Sequence, residues 1–458
     1  MPKKVGIEAI YIYVPEFYVD NTELAIHRGT DPKHFTEGLG ITRFGVPSPN
    51  EDHASMAATA ALRLMEKQNI RPMDIFRIDT PTESSLDNAR ALVSDVIGML
   101  EQIYGSGSFS HVLGYEQKFA CISGIERVLD SSAWCAAGWN EGKYALVITT
   151  DNAKYNLKSR EEPTQGAAAA AILIGVDPEL LEVVPGVRGS SLRFENMDFK
   201  KPEGREIALV NGERSVVSYL CEMDNAWRRF SSASVAKGFF KLENGECILD
   251  HIDRVVYHNP HKKMVMSAYG SLLTQEWRSL PRWNKVANEI GDVPTKVGID
   301  ELSYYGSNAF NTYRRKLLGT KMFYEEFKKR VWSSTLASEL VGDPYTASLF
   351  VGIDSIFEND ESELASKTLI LCGYGSGSHA LIQACIIPKR YKNAVKKMDL
   401  MPRLALRHKL SIEEYEVIHE GNITPQDWHE KAKQRFILEK IEKNGTKEQG
   451  NRKYSFAQ

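Results

Sequence analysis

Apolar and polar positions follow two rhythms along the chain. VGIEAIYIYVP, MDIFRIDTPTESS, KYALVITTDNA and KTLILCGYGSGSHA are short apolar runs ending in polar or small-residue loops, the pattern of buried strands. DHASMAATAALRLMEKQN repeats its apolar residues at helical spacing, with Asp52 placed to cap its start and Arg71-Pro72 beyond its end. EQKFA reads as strand and SGIERVLDSSAW as the helix it leads into. Strands alternating with helices predict an α/β fold with largely parallel sheets.

Three of these units recur in the same order. MDIFRIDTPTESS resembles HIDRVVYHNPHKK, FACISGIERVL resembles YTASLFVGIDSIF, and KYALVITTDNA resembles KTLILCGYGSGSHA. The repeat predicts a duplicated α/β unit with a pseudo-twofold, and an active site where equivalent loops meet. Residues 1–180 make the first half, 181–388 the second, and 389–458 a C-terminal extension. From about 264 to 340, segments rich in aromatic and charged residues interrupt the second half. They read as a helical insertion packed on the core and reaching over the site. In the extension, LSIEEYEVIHE and PQDWHEKAKQRF read as helices and NRKYSF as an edge strand. EEPTQGAAAAAILIG, rich in small residues, is expected to floor an acyl pocket.

Composition narrows the class. The 458 residues are 42% hydrophobic and 26% charged with a net charge of -3, a balance that points to neither nucleic acid nor an anionic membrane as partner. MPKKVGIEAIYIYV runs into Pro15, Glu16 and Asp20, so it reads as a first strand and not as a signal peptide, and no apolar run reaches a membrane span. The expected location is the cytoplasm. Six scattered cysteines show neither CxxC pairs nor zinc spacing, so the default for each is a small buried hydrophobe in a reducing compartment.

Cys121 departs from that default. It lies at a strand–helix junction, where a helix N-terminus stabilises a thiolate and is expected to lower the thiol pKa. Ala120 and Ser123-Gly124 leave room for a tight turn, an arrangement similar to a nucleophile elbow with sulfur in place of oxygen. Cys135, beside Trp134, and Cys372 are expected in the core. Glu83 follows a buried strand in TPTESSLD, as a cap or as a general base raised by burial. His258, in VVYHNPHKK, holds the matching position in the second half. A thiol, a carboxyl and an imidazole on symmetry-related loops point to acyl transfer with proton movement. GYGSGSHA matches no nucleotide-binding motif and is a candidate source of oxyanion-hole N–H groups together with Cys121.

TESSLD, EQKFACISG, DNAKY with EEPTQGAAAAAILIG, DFKKP, HNPHKK, VGDPYTASL and GYGSGS come in one order over roughly residues 5–388. In that order they resemble 3-hydroxy-3-methylglutaryl-CoA (HMG-CoA) synthases of the thiolase-like superfamily. The resemblance implies a duplicated, five-layer αβαβα fold and a likeness of activity: acetyl-CoA condensed with acetoacetyl-CoA, with CoA thioesters as substrates and neither metal nor cofactor. It implies that Cys121 carries the acetyl group, Glu83 is the general acid/base, and His258 polarises the acceptor carbonyl. It places Tyr155, Thr164, Asp343, Ser376 and Gly375 along the acyl site and Lys263 near the CoA phosphates. It further implies a homodimer in the cytoplasm and association with an acetoacetyl-CoA thiolase. Asp343 stands where the family has asparagine, Ser267 where a basic residue is common, and Lys200 where an aromatic is usual. The alternatives are a β-branching synthase acting on carrier-protein-bound groups, a ketoacyl synthase III-like enzyme, and a non-catalytic thiolase-fold subunit.

Overall fold

The computed structural model describes residues 3–458 except 203, 206, 429–432, 443, 444 and 446. Nine strands form one mixed sheet: β1 (Val5–Tyr13), β2 (Ile75–Pro81), β3 (Leu113–Gln117), β4 (Tyr144–Ala153), β5 (Gly166–Val176), β6 (Leu181–Leu192), β7 (Arg254–Tyr257), β8 (Thr368–Gly375) and β9 (His379–Ile386). Their order across the sheet is β7-β8-β9-β6-β1-β5-β4-β2-β3.

The pairings mirror each other about the β6–β1 seam. On one side β1 pairs antiparallel with β5, β5 antiparallel with β4, and β4 parallel with β2. On the other, β6 pairs antiparallel with β9, β9 antiparallel with β8, and β8 parallel with β7. The seam is narrow, joining Gly6 to Glu182 and Ile7 to Leu181. The duplicated pattern of the sequence is thus a duplicated topology. β3, parallel to β2 at the outer edge, has no counterpart among the described strands.

Side-chain alternation distributes the sheet over three cores. Ala168, Ala170, Ile172 and Ile174 of β5 and Leu369 and Leu371 of β8 share a central core with α3 (Ser123–Ala136) and α6 (Ser348–Asn359). The intervening residues Ala167, Ala169, Ala171 and Leu173 face an outer core with α1 (His53–Gln68) and α2 (Val93–Tyr104). Ile370, Cys372 and Tyr374 face the other outer core, with α4 (Gly212–Ala236) and α5 (Lys262–Trp277). Helix, sheet, helix, sheet, helix is the five-layer arrangement. Asp52 caps α1 through a reciprocal bond pair with Ser55.

Four expectations change. The sheet is not largely parallel: β1, β5, β6 and β9 fill its middle with antiparallel pairings, and the parallel pairs lie toward its two edges. The alanine-rich run is a central strand covered on both faces, not the floor of a pocket; complete burial overrides the weak strand propensity of alanine. The 264–340 region is largely helical, but it reaches the site only through the start of α5; its remaining helices extend the outer core. In PQDWHEKAKQRF, Pro425–Asp427 is a single 3-10 turn, 429–432 lie outside the described residues, and Arg435–Ile441 is a strand paired with Arg452–Ala457.

Candidate active site

Cys121 is delivered by a strained turn. β3 stops at Gln117, earlier than EQKFA suggests, and Ala120 adopts a left-handed φ of 45°. Ile122 and Ser123 then open α3, with Ser123 Oγ donating to Ala120 O at 2.9 Å. Gly375, at the end of β8, packs on this turn. A Cβ there would stand 2.7 Å from Phe119 O and 2.9 Å from Ile122 N, so only glycine permits the approach. The other five cysteines are buried, Cys135 on α3 and Cys372 in β8 among them; Cys121 alone is half-buried.

The thiol does not have the low pKa that a helix N-terminus suggests. Burial pushes it well above its ordinary value, and Glu83, Asp343 and Asp151 push in the same direction. Three carboxyl groups in one desolvated site outweigh the partial positive charge at the start of α3. Glu83 is 8% exposed and in hydrogen-bonding contact with the thiol. Burial and then Asp151 raise its carboxyl well above the usual range, with Lys201 opposing.

Asp151, at the end of β4, organises this corner. Its Oδ1 accepts from Glu83 N at 2.8 Å, Ser84 Oγ at 2.8 Å and Thr82 Oγ1 at 3.0 Å. Its Oδ2 accepts from the N–H of Thr346 at 3.2 Å and from the Thr346 hydroxyl. One carboxylate thereby ties the Glu83 loop of the first half to the start of α6 in the second. Asp343 accepts from Tyr345 N at 3.0 Å, and burial pushes its pKa up to about 8. At neutral pH it is mainly the protonated acid, able to donate as well as accept.

His258 follows β7 and is 3% exposed. Its N–H donates to Cys372 O at 2.8 Å and its carbonyl accepts from Tyr219 OH at 2.8 Å. Burial lowers the imidazole pKa to about 3, so the ring is neutral, and its Nδ1 has no hydrogen-bond partner among the described residues.

A cavity of about 710 Å³ joins these groups. Cys121, His258, Tyr155, Thr164, Asp343 and Ser376 all line it. Tyr155 is set by its N–H bond to Gln165 Oε1 at 2.8 Å, and Thr164 Oγ1 donates to Glu161 O at 2.7 Å. Gly375 acts as packing beneath the nucleophile turn and is not part of the lining. Lys263 lies exposed on the first turn of α5, outside the lining that its neighbours His261 and Met264 form. Its partner in sequence, Lys262, is bound to Glu339 at 2.5 Å and lies 3.6 Å over the Trp332 ring.

A second cavity, about 520 Å³, approaches from the other side. Glu83 and Ala120 line it with Lys118, Lys200 and Lys201, and it shares Phe199 and Ser376 with the first. Asp198 holds that shared wall: its Oδ2 accepts from Gly377 N at 3.1 Å and its backbone carbonyl from Asn211 N at 2.8 Å. Asp151, Asp198 and Lys201 were not distinguished by sequence reasoning. The available signal was that Asp151 opens the quoted DNAKY segment and that Asp198 and Lys201 lie within DFKKP, though no role was assigned to any of them.

Residues 1–179 match the family model for the hydroxymethylglutaryl-coenzyme A synthase N terminal, and residues 183–437 that for its C terminal. The hydroxymethylglutaryl-CoA synthase of Haloferax volcanii is 33% identical over 422 residues, 91% of each chain. Among solved structures, MvaS in complex with 3-hydroxy-3-methylglutaryl coenzyme A superposes with a TM-score of 0.82 at 28% identity, covering all of both chains. The curacin biosynthetic pathway HMG synthase in complex with acetyl donor-ACP gives a TM-score of 0.79 at 22% identity over 99% of this chain and all of that one, a likeness of fold.

Proposed function

The chain belongs to the hydroxymethylglutaryl-CoA synthase family, and on that premise we propose that it condenses acetyl-CoA, acetoacetyl-CoA and water to HMG-CoA and free CoA, a step of isoprenoid synthesis. The observation that carries the reading is that Cys121 and His258, from opposite halves, line one cavity while Glu83, which lines the adjoining one, is in hydrogen-bonding contact with the Cys121 thiol.

Cys121 attacks the acetyl thioester, its proton passes through Glu83, and CoA leaves as the thiol. Glu83 then removes a methyl proton from the acetyl-cysteine. The resulting carbanion attacks the ketone carbon of acetoacetyl-CoA, whose oxygen is polarised by the neutral His258. Glu83 returns its proton to the new alkoxide. Water hydrolyses the thioester to Cys121, frees the carboxylate and restores the thiol. A carboxyl raised toward neutrality suits this alternation between base and acid. The thioester itself acidifies the α-carbon, so the sequence of steps needs no metal or redox group. Tyr155, Thr164 and Asp343 shape the acyl site, and Ser376 with Cys121 offers backbone donors to the developing oxyanion. Lys263 meets the CoA phosphates beyond the cavity mouth.

The protein acts as a homodimer in the cytoplasm. The β3 edge, with Leu113 and Tyr115 exposed, supports the first statement, and six free cysteines support the second. An acetoacetyl-CoA thiolase is the natural partner by substrate supply. The carrier-protein alternative is not favoured, since the relatives that support it by structure share fold alone.

Labelled acetyl-CoA tests the assignment. Wild type and Glu83→Ala are expected to take label on Cys121, and Cys121→Ala none. Glu83→Ala should lose about 10²–10⁴ in turnover. An unlabelled Cys121 in wild type, or full turnover in Glu83→Ala, overturns it.

A further inference from the structure

A third cavity, about 240 Å³, lies far from the acyl chemistry, between the end of β1 and the C-terminal extension. Its charged lining is one-sided: Arg63, Arg403, Arg407, Lys433 and Arg435 face one carboxylate, Glu16. His408 adds a titratable ring, which packs beside Phe17. Three of the guanidinium groups are already answered. Arg63 pairs with Glu66 at 2.6 Å, Arg403 with Asp399 at 2.8 Å, and Arg435 with Glu16 at 3.0 Å.

Arg407 is not. It is 9% exposed, and among the described residues no carboxylate lies within ion-pairing distance of it. Its Nε and Nη2 donate to Leu404 O and Leu340 O, while Nη1 is buried with no hydrogen-bond partner. Its charged neighbour is another cation: Arg43 and Arg407 both lie over the Tyr18 ring, at 4.5 and 5.2 Å. Arg435 is answered by Glu16 and Glu51, at 3.0 and 3.8 Å, whereas among the described residues Lys433 forms no ion pair. Buried cationic N–H groups left without acceptors are costly, and the guanidinium fork matches tetrahedral oxyanions.

We propose that this cavity is a binding site for a phosphate-class oxyanion, held by Arg407 and Lys433 with Arg435 beneath. Its volume suits a phosphate or a small phosphate ester and excludes a nucleotide. The site is connected to the chemistry by one bond, since Leu340, bound by Arg407 at 2.6 Å, lies three residues before Asp343.

Isothermal titration calorimetry of the full chain with inorganic phosphate, in buffer free of other oxyanions, tests the site. The expected result is saturable binding of one phosphate per chain that persists under saturating CoA. Lys433→Met, on the surface, should weaken it by about tenfold, or ~1.4 kcal/mol. Arg407→Gln should abolish it while cysteine acetylation persists. A parallel titration with glycerol 3-phosphate separates the sources: tighter binding of the ester assigns a phosphorylated metabolite, and binding of inorganic phosphate alone assigns the free ion. No saturable binding, displacement by CoA, or unchanged affinity in both variants overturns the proposal.

Discussion

Ala120 and Tyr345 hold the same unusual backbone, with φ of 45° and 47°, each three residues before the helix that starts its half of the central layer. The duplication therefore extends to local strain: Cys121 follows one left-handed residue and Thr346 the other. In one half the turn presents the Cys121 thiol. In the other it presents a hydroxyl that braces Asp151.

If the left-handed turn aims the thiol, the residue at 120 should be selected by backbone conformation. Ala120→Gly should stay within about 1 kcal/mol of wild-type stability, since relief of strain offsets added unfolded-state entropy. Ala120→Val, β-branched, should cost about 2 kcal/mol or more and abolish cysteine acetylation. Thermal melts and labelling with acetyl-CoA read both effects; equal behaviour of the two variants would contradict the role of the turn.

Removing Asp151 should disturb the base more than the nucleophile. Asp151→Ala leaves the Glu83 and Thr346 N–H groups without their acceptor, a loss of about 3–5 kcal/mol in a buried network. Turnover should fall at least as far as in Glu83→Ala, while residual acetylation of folded protein remains measurable. A variant with wild-type melting temperature and turnover would refute the bracing.

Asp343 should make the alkaline limb. Its folded pKa, about 8, lies above its ordinary 3.8. The neutral form thus contributes stability that is fully present below the unfolded pKa and is lost as pH rises through about 8. Asp343→Asn should gain stability relative to wild type between pH 4 and 8, and its kcat/KM should decline at higher pH than that of wild type. Superimposable pH profiles would show that the acid carries no proton at neutrality.

Lys201 supplies positive charge to both Glu83 and Asp151. Lys201→Met should raise the Glu83 pKa further and move the acidic limb of the rate profile upward, with Lys201→Arg restoring it. A fall in rate without any shift of the limb would assign the lysine a purely structural part.

Glu83 and His258 were legible because each follows a short apolar strand, and Cys121 because it precedes an amphipathic helix; strand ends and helix starts are where an α/β fold presents side chains. The duplication was legible from the repeated strand–helix units, whereas the five layers came from the family resemblance. Asp151 was not, because its partners lie 68 and 195 residues away, contacts that no window of sequence contains. The same distance effect reversed the expected thiol pKa: the helix start is local to Cys121, whereas the opposing carboxyls arrive from two loops, at Glu83 and Asp343, and from the end of β4 at Asp151. The alanine strand was misread because composition suggested a lining, while its burial on both faces is set by the layers around it.

The division of the site between the two halves also sets when reactivity appears. Without the second half, Cys121 lacks the Gly375 backing, the Asp343 carboxyl and the His258 imidazole. The thiol and the strand that backs it thus lie some 250 residues apart in the chain, and the cavity around Cys121 exists only where both halves are folded against each other.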